Sequence, residues 1–245
     1  MKDPASYRRA AAATSLVIAG VSAATFMVLA AAPGWGSDDV ERLQAVAGAR
    51  RAATVSFVAF VVYQLPLMIG LLGVAHLMRG RAPLLASLGG TLAAVGAFGY
   101  AVYGGSQLVI PAMAADPAHL EVYAQLRSDA ETLTVPFAAL GMVGSVLGLL
   151  VLSIALWRTR VGPRWVPVTV WAFLAVEFVG TSLSPSAARL SAALLLVALT
   201  GLAVTVRRSP VTHWSSGADS PVDRPAEQAG GDGAAGASRT ATGTV

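Results

Sequence analysis

Cysteine and charge are the two features that this sequence has least of. It contains no cysteine, which excludes disulfides, thiolate metal sites and cysteine nucleophiles. Only 12% of the 245 residues are charged, whereas a soluble domain carries roughly 25%. Because 55% of the residues are hydrophobic and the mean hydropathy is +0.65, a water-soluble globule would have too little polar surface. Lipid is therefore the expected solvent.

The apolar residues fall in uninterrupted runs of about 20 residues, the length that crosses a hydrocarbon core ~30 Å thick. Each run ends at a cluster of charged residues or prolines. The sequence predicts an all-α, polytopic membrane helix bundle with six transmembrane helices, in which residues 1–10 form a cytoplasmic N-terminus and residues 11–208 the membrane domain. The predicted spans are residues 11–32, 53–78, 84–110, 133–157, 165–184 and 187–206.

The basic residues predict the orientation of these spans. Ten arginines and lysines lie on one side of the predicted bundle, and five lie on the other side together with seven acidic residues. Excess arginine and lysine marks cytoplasmic loops, so both termini are predicted to be inside. The first span is expected to be retained, because its apolar run is longer than that of a signal peptide and Pro33 disfavours cleavage. Basic clusters between apolar runs do not predict nucleic-acid binding.

Two outer loops carry helix-start signals. Asp38 followed by Glu41 has the spacing of a capping box. Asp116 followed by Pro117 is typical of an N-cap and first helical position, which predicts a short helix over residues 117–132 on the outer surface.

Residues 209–245 differ abruptly in composition from the rest of the chain. They are rich in Ser, Pro, Gly, Ala, Asp and Thr and hold almost nothing apolar after Trp214. Such a segment cannot bury enough surface to fold. The sequence therefore predicts a disordered cytoplasmic tail.

Few polar groups lie inside the predicted spans, and Glu177 is the only carboxylate among them. An ionised acid at a helix centre costs ~2.5–3.5 kcal/mol on insertion scales, so it should face the bundle interior, be paired or be protonated. The helical rise places it about 18 Å from the inner end of span 5. Tyr63 and Gln64 reach a similar depth, and Tyr100 lies in the outer half of span 3. These four residues and Arg189 form the candidate polar site.

Arg189 leaves two alternatives for Glu177. Its long side chain could reach Glu177 and keep it ionised, or it could extend to the outer headgroups and leave Glu177 protonated. The second alternative is favoured, because Arg189 is expected to lie several Å closer to the surface. A packing role for Glu177 is favoured over a role in binding or proton transfer.

No pattern in the sequence predicts a cofactor or a metal ion. The three histidines, His76, His119 and His213, lie at different depths, and no span has two ligands at the spacing of a helical metal site. Walker, Rossmann and nucleophile-elbow signatures are absent from the sequence. Gly144 and Gly148 form a small-xxx-small step, for which packing inside the bundle is the default and a dimer face is the alternative.

The segment from Gly70 to Pro83 is followed by the glycine-rich span 3, and a tail rich in Ser, Pro and Gly follows span 6. In this layout the chain resembles uncharacterised multi-span integral membrane proteins of actinobacteria. The resemblance implies a multi-pass protein of the cytoplasmic cell membrane. It implies no activity, cofactor or site.

Three classes of function stay open. A non-catalytic protein that packs with, regulates or scaffolds other membrane components is favoured, because intramembrane polar groups are scarce. A small-molecule or proton-coupled transporter that uses Glu177 is the alternative. A membrane-embedded enzyme comes third, because only Glu177 and His76 could act as acid or base, and they lie at different depths. The expected partners are the lipid bilayer and a second copy or another membrane protein, and not nucleic acid.

Overall fold

The computed structural model describes residues 3–30, 38–184 and 186–215, and of Ser182 it describes the backbone alone. These residues are almost entirely helical, and none of them forms a strand. The α-helices are α1 (Pro4–Ala30), α2 (Asp39–Gly48), α3 (Arg50–Val62), α4 (Gln64–Met78), α5 (Pro83–Gln107), α6 (Ile110–Met113), α7 (Leu120–Thr159), α8 (Trp165–Ala175), α9 (Thr181–Leu183) and α10 (Ala187–Arg208).

Five helical segments are long and apolar enough to cross a membrane, which confirms the prediction of an all-α protein with membrane-spanning character. They correspond to predicted spans 1 to 4 and 6. The segment at predicted span 5, Trp165–Gly180, is apolar but shorter than the other five. The number of six spans and their orientation therefore stay predictions. The five segments are Pro4–Ala30, Arg50–Met78, Pro83–Met113, Pro117–Thr159 and Ala187–Arg208.

Predicted span 2 consists of two helices, α3 and α4, that meet at Tyr63. Pro66 has no backbone N–H and cannot donate to the carbonyl of residue 62, so the helical hydrogen-bond ladder is interrupted just before it. The backbone N–H of Leu67 restores the ladder by donating to the carbonyl of Tyr63, at 2.9 Å. The break lies at the depth of the candidate site.

Helices α5 and α7 pack closely along their length because glycines face each other across the contact. A Cβ atom on Gly144 would lie 2.6 Å from the backbone nitrogen of Gly96, and one on Gly148 would lie 2.6 Å from that of Ala93. Small residues of this kind let helix backbones touch where lipid supplies no hydrophobic drive. The Gly144–Gly148 step thus packs inside the bundle against α5, and α5 covers the face that a dimer would need.

One end of the bundle gathers the arginines that the sequence assigns to the cytoplasm. Here Arg9 Nη1 donates to the carbonyl of Ser209 at 2.9 Å, and Arg81 Nη1 donates to the carbonyl of Thr159 at 3.3 Å. These bonds place the starts of α1 and α5 beside the ends of α10 and α7. We call this end, with the following residues, the basic end: Arg8, Arg9, Arg79, Arg81, Arg158, Arg160, Arg164, Arg207 and Arg208.

At the opposite end, the predicted surface helix over residues 117–132 does not lie apart from span 4. A 3₁₀ turn, Pro117–His119, leads directly into α7, which continues without a break to Thr159. The predicted N-cap is confirmed, because the Asp116 carboxylate accepts a hydrogen bond from the backbone N–H of Ala118 at 3.2 Å. The capping box predicted at Asp38 does not form, since its side chain makes no capping hydrogen bond at the start of α2.

Helix α2 covers the outer part of α7 and completes a small second core. Its apolar residues Leu43 and Val46 are buried against Phe57 of α3. Arg127 of α7 donates to the carboxylate of Asp39 at 2.8 Å and so ties the two helices together. Burial lowers the pKa of the neighbouring Arg42, and the positive charge of Arg127 lowers it further.

The first residues of the predicted tail are ordered. Residues 211–214 form a 3₁₀ turn, and the Trp214 side chain is only 3% exposed because it packs against the core of the basic end. Trp214 Nε1 donates to Ser209 Oγ at 2.8 Å. A single large aromatic side chain thus moves the boundary of the tail beyond residue 209. Residues 216–245 lie outside the described residues, and so does Pro33.

Candidate functional site

A cavity of about 250 Å³ lies where the six apolar segments meet. Every segment contributes to its wall, and among the described residues that line it Glu177 supplies the only carboxylate. Each of the other five segments also contributes lining residues. One from each, in chain order, is Phe26, Phe60, Tyr100, Ser145 and Leu195. Deep, mostly apolar pockets with a single charged group are typical of small-molecule sites.

Glu177 lies in a stretch of π-helix, Val176–Gly180, that follows α8. Single π turns inside α-helices are rare and frequent at functional sites. The carboxylate is half-buried, and its Oε2 accepts a hydrogen bond from Ser191 Oγ at 2.5 Å. Ser191 is 0% exposed on α10. Thr181 Oγ1 donates to the backbone carbonyl of Glu177, which accepts within the wider turn.

Aromatic rings form the wall that faces Glu177. The Phe60 ring is central, with its centroid 4.7 Å from that of Phe26, 5.6 Å from that of Tyr63 and 5.5 Å from that of Tyr100. The last two contacts are edge-on, a favoured geometry for aromatic pairs. All four rings also line the cavity, so a bound molecule would contact aromatic carbon.

The structure brings three of the five predicted site residues together. Tyr63, Tyr100 and Glu177 line the same cavity, and for Tyr63 and Glu177 this agrees with the similar depth predicted for them. Gln64 is 2% exposed and lies outside the lining, where Nε2 donates to the carbonyl of Phe60 at 3.0 Å and Oε1 accepts no hydrogen bond from a described residue. Arg189 is exposed and, within the described part of the chain, forms no salt bridge with Glu177.

The sequence did not predict the partner of Glu177 or the two phenylalanine rings of the aromatic wall. Ser191 lies near the start of span 6, and nothing in the sequence separates it from the other serines of that region. The rings carried a usable signal, because Phe60 and Tyr63 are three residues apart, as are Tyr100 and Tyr103. That spacing places each pair on one face of a helix.

The cavity wall offers one carboxylate, several hydroxyl groups and a majority of apolar and aromatic carbon. It can hold a positive charge, accept a hydrogen bond and carry a proton on Glu177. Among the described residues, no group of three or more His, Asp or Glu side chains could hold a metal ion. In comparisons with known proteins, no family model, no curated protein and no solved structure matches this chain.

Proposed function

We propose that this chain is a non-catalytic, six-span protein of the cytoplasmic membrane that binds a small apolar cation in the cavity at Glu177. Both termini lie in the cytoplasm. A location in the cytoplasmic membrane is what the resemblance to actinobacterial multi-span proteins implies.

The remaining span, predicted span 5, is α8 with the π turn and α9. It connects the basic end, where Gly162 lies against Thr205 of α10, to the opposite end, where Glu177 bonds to Ser191 at the start of α10. Because this segment runs from one end of the bundle to the other beside a spanning helix, we infer that it also crosses the membrane, although it is shorter than the other spans. The arginines of the basic end then all face the cytoplasm, as the excess of positive charge there favours.

The choice of a cation as ligand rests on the chemistry of the wall. Of the described residues that line the cavity, Glu177 is the only acid, and none is a lysine, arginine or histidine. Aromatic faces such as those of Phe60 and Tyr100 attract a cation within about 6 Å by their negative quadrupole. The volume of about 250 Å³ is slightly below the ~300–1,000 Å³ of ordinary ligand pockets, so the ligand is small.

The observation that carries this proposal is the position of Glu177 on the wall of an aromatic cavity. It can be tested by thermal unfolding of the purified protein in detergent with benzyltrimethylammonium, a small apolar cation. We expect a saturable rise in Tm, because a ligand at 100 times its Kd stabilises the folded state by ~2.7 kcal/mol. Neutral benzyl alcohol and anionic benzenesulfonate should give much smaller shifts.

Two variants show whether Glu177 is responsible. Glu177→Gln should fold, since Ser191 can still donate to an amide oxygen, but it should lose the shift with benzyltrimethylammonium. Glu121→Gln is the matched control, because it removes an exposed carboxylate outside the cavity, and it should respond like the wild type. Equal shifts in all three proteins would contradict the proposal.

A second candidate function, carriage of the cation across the membrane, is favoured by the π turn at Glu177. Single π turns inside α-helices are frequent at functional sites, and this one carries the carboxylate of the cavity. Proteoliposomes with an inside-negative potential should then accumulate benzyltrimethylammonium in a saturable way, and those with Glu177→Gln should not exceed empty liposomes. Binding without accumulation would leave the first function and remove the second.

A further inference from the structure

A second cavity, of about 730 Å³, opens at the basic end. The end of α4, the loop 160–163 between α7 and α8, and the end of α10 form its wall. No acidic side chain is present among the described residues that line it. The charged or titratable residues of the lining are Arg79, Arg81, Arg160, Arg208, His76 and His213.

The loop wall of this cavity is held in one conformation by close contacts. Gly162 has φ +84, and a Cβ atom there would lie 2.6 Å from the Thr205 methyl group, so only glycine fits without a shift. Arg160 has φ 54, the left-handed conformation that a side chain other than glycine rarely adopts. A strained arginine on a cavity wall is of the kind found at binding sites.

The turn after α10 forms the adjoining wall and is fixed by hydrogen bonds from three directions. His76 Nε2 lies 3.0 Å from the carbonyl of His213. Arg9 Nη1 donates to the carbonyl of Ser209, and Arg8 Nη1 donates to that of Trp214 at 3.4 Å. The cavity is thus preformed, and a ligand would not have to order this turn on binding.

The four arginines of the lining place like charges around one space. Within the described residues no salt bridge joins any of them to a carboxylate, and Arg81 Nη1 donates to the Thr159 carbonyl. Like charges repel, and an anion among them relieves that repulsion. Guanidinium groups offer two parallel N–H donors, which match the oxygens of a phosphate group.

We propose that this basic cavity binds a phosphate group, presented by an anionic phospholipid headgroup or by a soluble phosphate compound. The site is separate from the Glu177 cavity and shares no lining residue with it. A basic pocket between spans at the cytoplasmic surface is the setting in which anionic headgroups bind.

The two sources are separated by titrating the purified full chain in detergent. One arm uses micelles that contain phosphatidylglycerol, with phosphatidylcholine as the zwitterionic comparison, and the other uses inorganic pyrophosphate without lipid. Thermal unfolding reports binding, and native mass spectrometry counts the bound lipid or anion. A response to phosphatidylglycerol alone identifies a lipid, and a response to pyrophosphate identifies a soluble phosphate compound.

Neighbouring arginines supply a matched control. The double variant Arg160→Gln/Arg208→Gln removes two lining charges, and Arg158→Gln/Arg207→Gln removes two exposed charges of the same end that do not line this cavity. We expect the first pair to weaken binding about tenfold or more, as loss of charge-assisted hydrogen bonds does, and the second pair to leave it near the wild-type value. Equal losses in both pairs, or no response of the wild type to either ligand, would overturn the proposal.

Discussion

Glu177 is held by a hydroxyl group and not by an arginine. The structure shows Ser191 as its hydrogen-bond donor and Arg189 exposed, without a salt bridge to it among the described residues. This arrangement is the one that the sequence favoured for Arg189. The acid therefore keeps its place in the cavity through packing and one hydrogen bond.

The first prediction concerns thermal stability in detergent. Arg189→Ala should change the free energy of unfolding by less than about 0.5 kcal/mol, as exposed substitutions usually do. Ser191→Ala should cost about 1–3 kcal/mol, because it leaves the half-buried carboxylate without its donor. Thermal unfolding of both variants measures the difference.

A double-mutant cycle provides the control. The changes in the free energy of unfolding caused by Glu177→Gln and Arg189→Ala should add in the double variant, since the two side chains do not touch. A large loss in both single variants that is not additive in the double variant would show a direct ion pair, which contradicts the geometry described above.

The helical rise predicts the depth of the site residues in the membrane, but it does not predict which of their side chains line the cavity. Counting 1.5 Å per residue predicts that Tyr63 and Glu177 share a depth and that Tyr100 lies in the outer half of span 3, but it does not predict the angle at which each helix presents its side chains. That angle decides that Gln64, one residue from Tyr63, lies outside the cavity. It depends on the break in span 2, whose position Pro66 shows in the sequence but whose geometry is set by packing against the other helices.

At the scale of the elements, the contact between α5 and α7 limits the size of side chains. Gly144→Ala should destabilise by about 3 kcal/mol, the upper end for an overpacked site, because the atoms that its methyl group would meet are backbone. Gly105→Ala, on α5 and with no atom within 4 Å of the added Cβ, should be neutral or stabilise by ~0.5–1 kcal/mol. Thermal unfolding of the two alanine variants compares them, and equal effects would argue against the close contact.

At the start of α7, the pKa of Asp116 predicts how the stability of the protein changes at low pH. A hydrogen bond from His119 lowers the pKa of Asp116 from its ordinary value of 3.8, and the charge of His119 and the N–H of Ala118 add to this. Because the folded chain favours the carboxylate, the resulting stability is present above the ordinary pKa and is lost as pH falls through the lowered one.

Wild type and Asp116→Asn should therefore differ in Tm at pH 6 and converge as the pH approaches 3. The difference is expected to be small, since solvent screens an exposed pair. Glu121→Gln, in the same region, should run parallel to the wild type over this range. A Tm difference between wild type and Asp116→Asn that grew as the pH fell would contradict the lowered pKa of Asp116.

For the whole molecule, the decisive measurement is the side of the membrane on which each loop lies. The sequence has no cysteine, so single cysteines can be labelled without background. A Cβ atom added to Gly80 or Gly48 would have open space around it, with no neighbouring atom within 4 Å, and Leu183 is 79% exposed. Gly80→Cys should react only from inside, and Gly48→Cys and Leu183→Cys only from outside.

Labelling at residue 183 tests predicted span 5 separately from the others. If the short segment Trp165–Gly180 did not cross, Leu183→Cys would react from inside, and the two termini would lie on opposite sides. Labelling of Gly80→Cys from outside would overturn the orientation as a whole.

The apolar runs predicted the helical fold because lipid leaves few alternatives to a helix. Composition shows where a segment is apolar, but it does not show whether the helix continues beyond the apolar residues. For this reason the sequence treated residues 117–132 as a separate element, whereas the structure joins them to α7. It also assigned Trp214 to the tail, because one aromatic residue among polar neighbours does not raise average hydropathy, yet it fills a gap in the core.

The unbroken length of α7 has a mechanical consequence. Its 40 residues measure about 60 Å, twice a hydrocarbon core of ~30 Å. One end is clasped by α2 through Asp39 and Arg127, and the other leads into loop 160–163. If α7 tilted as one rod, about 5° around its middle would move each end by roughly 3 Å in opposite directions. The contact of α2 with one end and the position of Arg160 at the other would then be coupled through the helix itself.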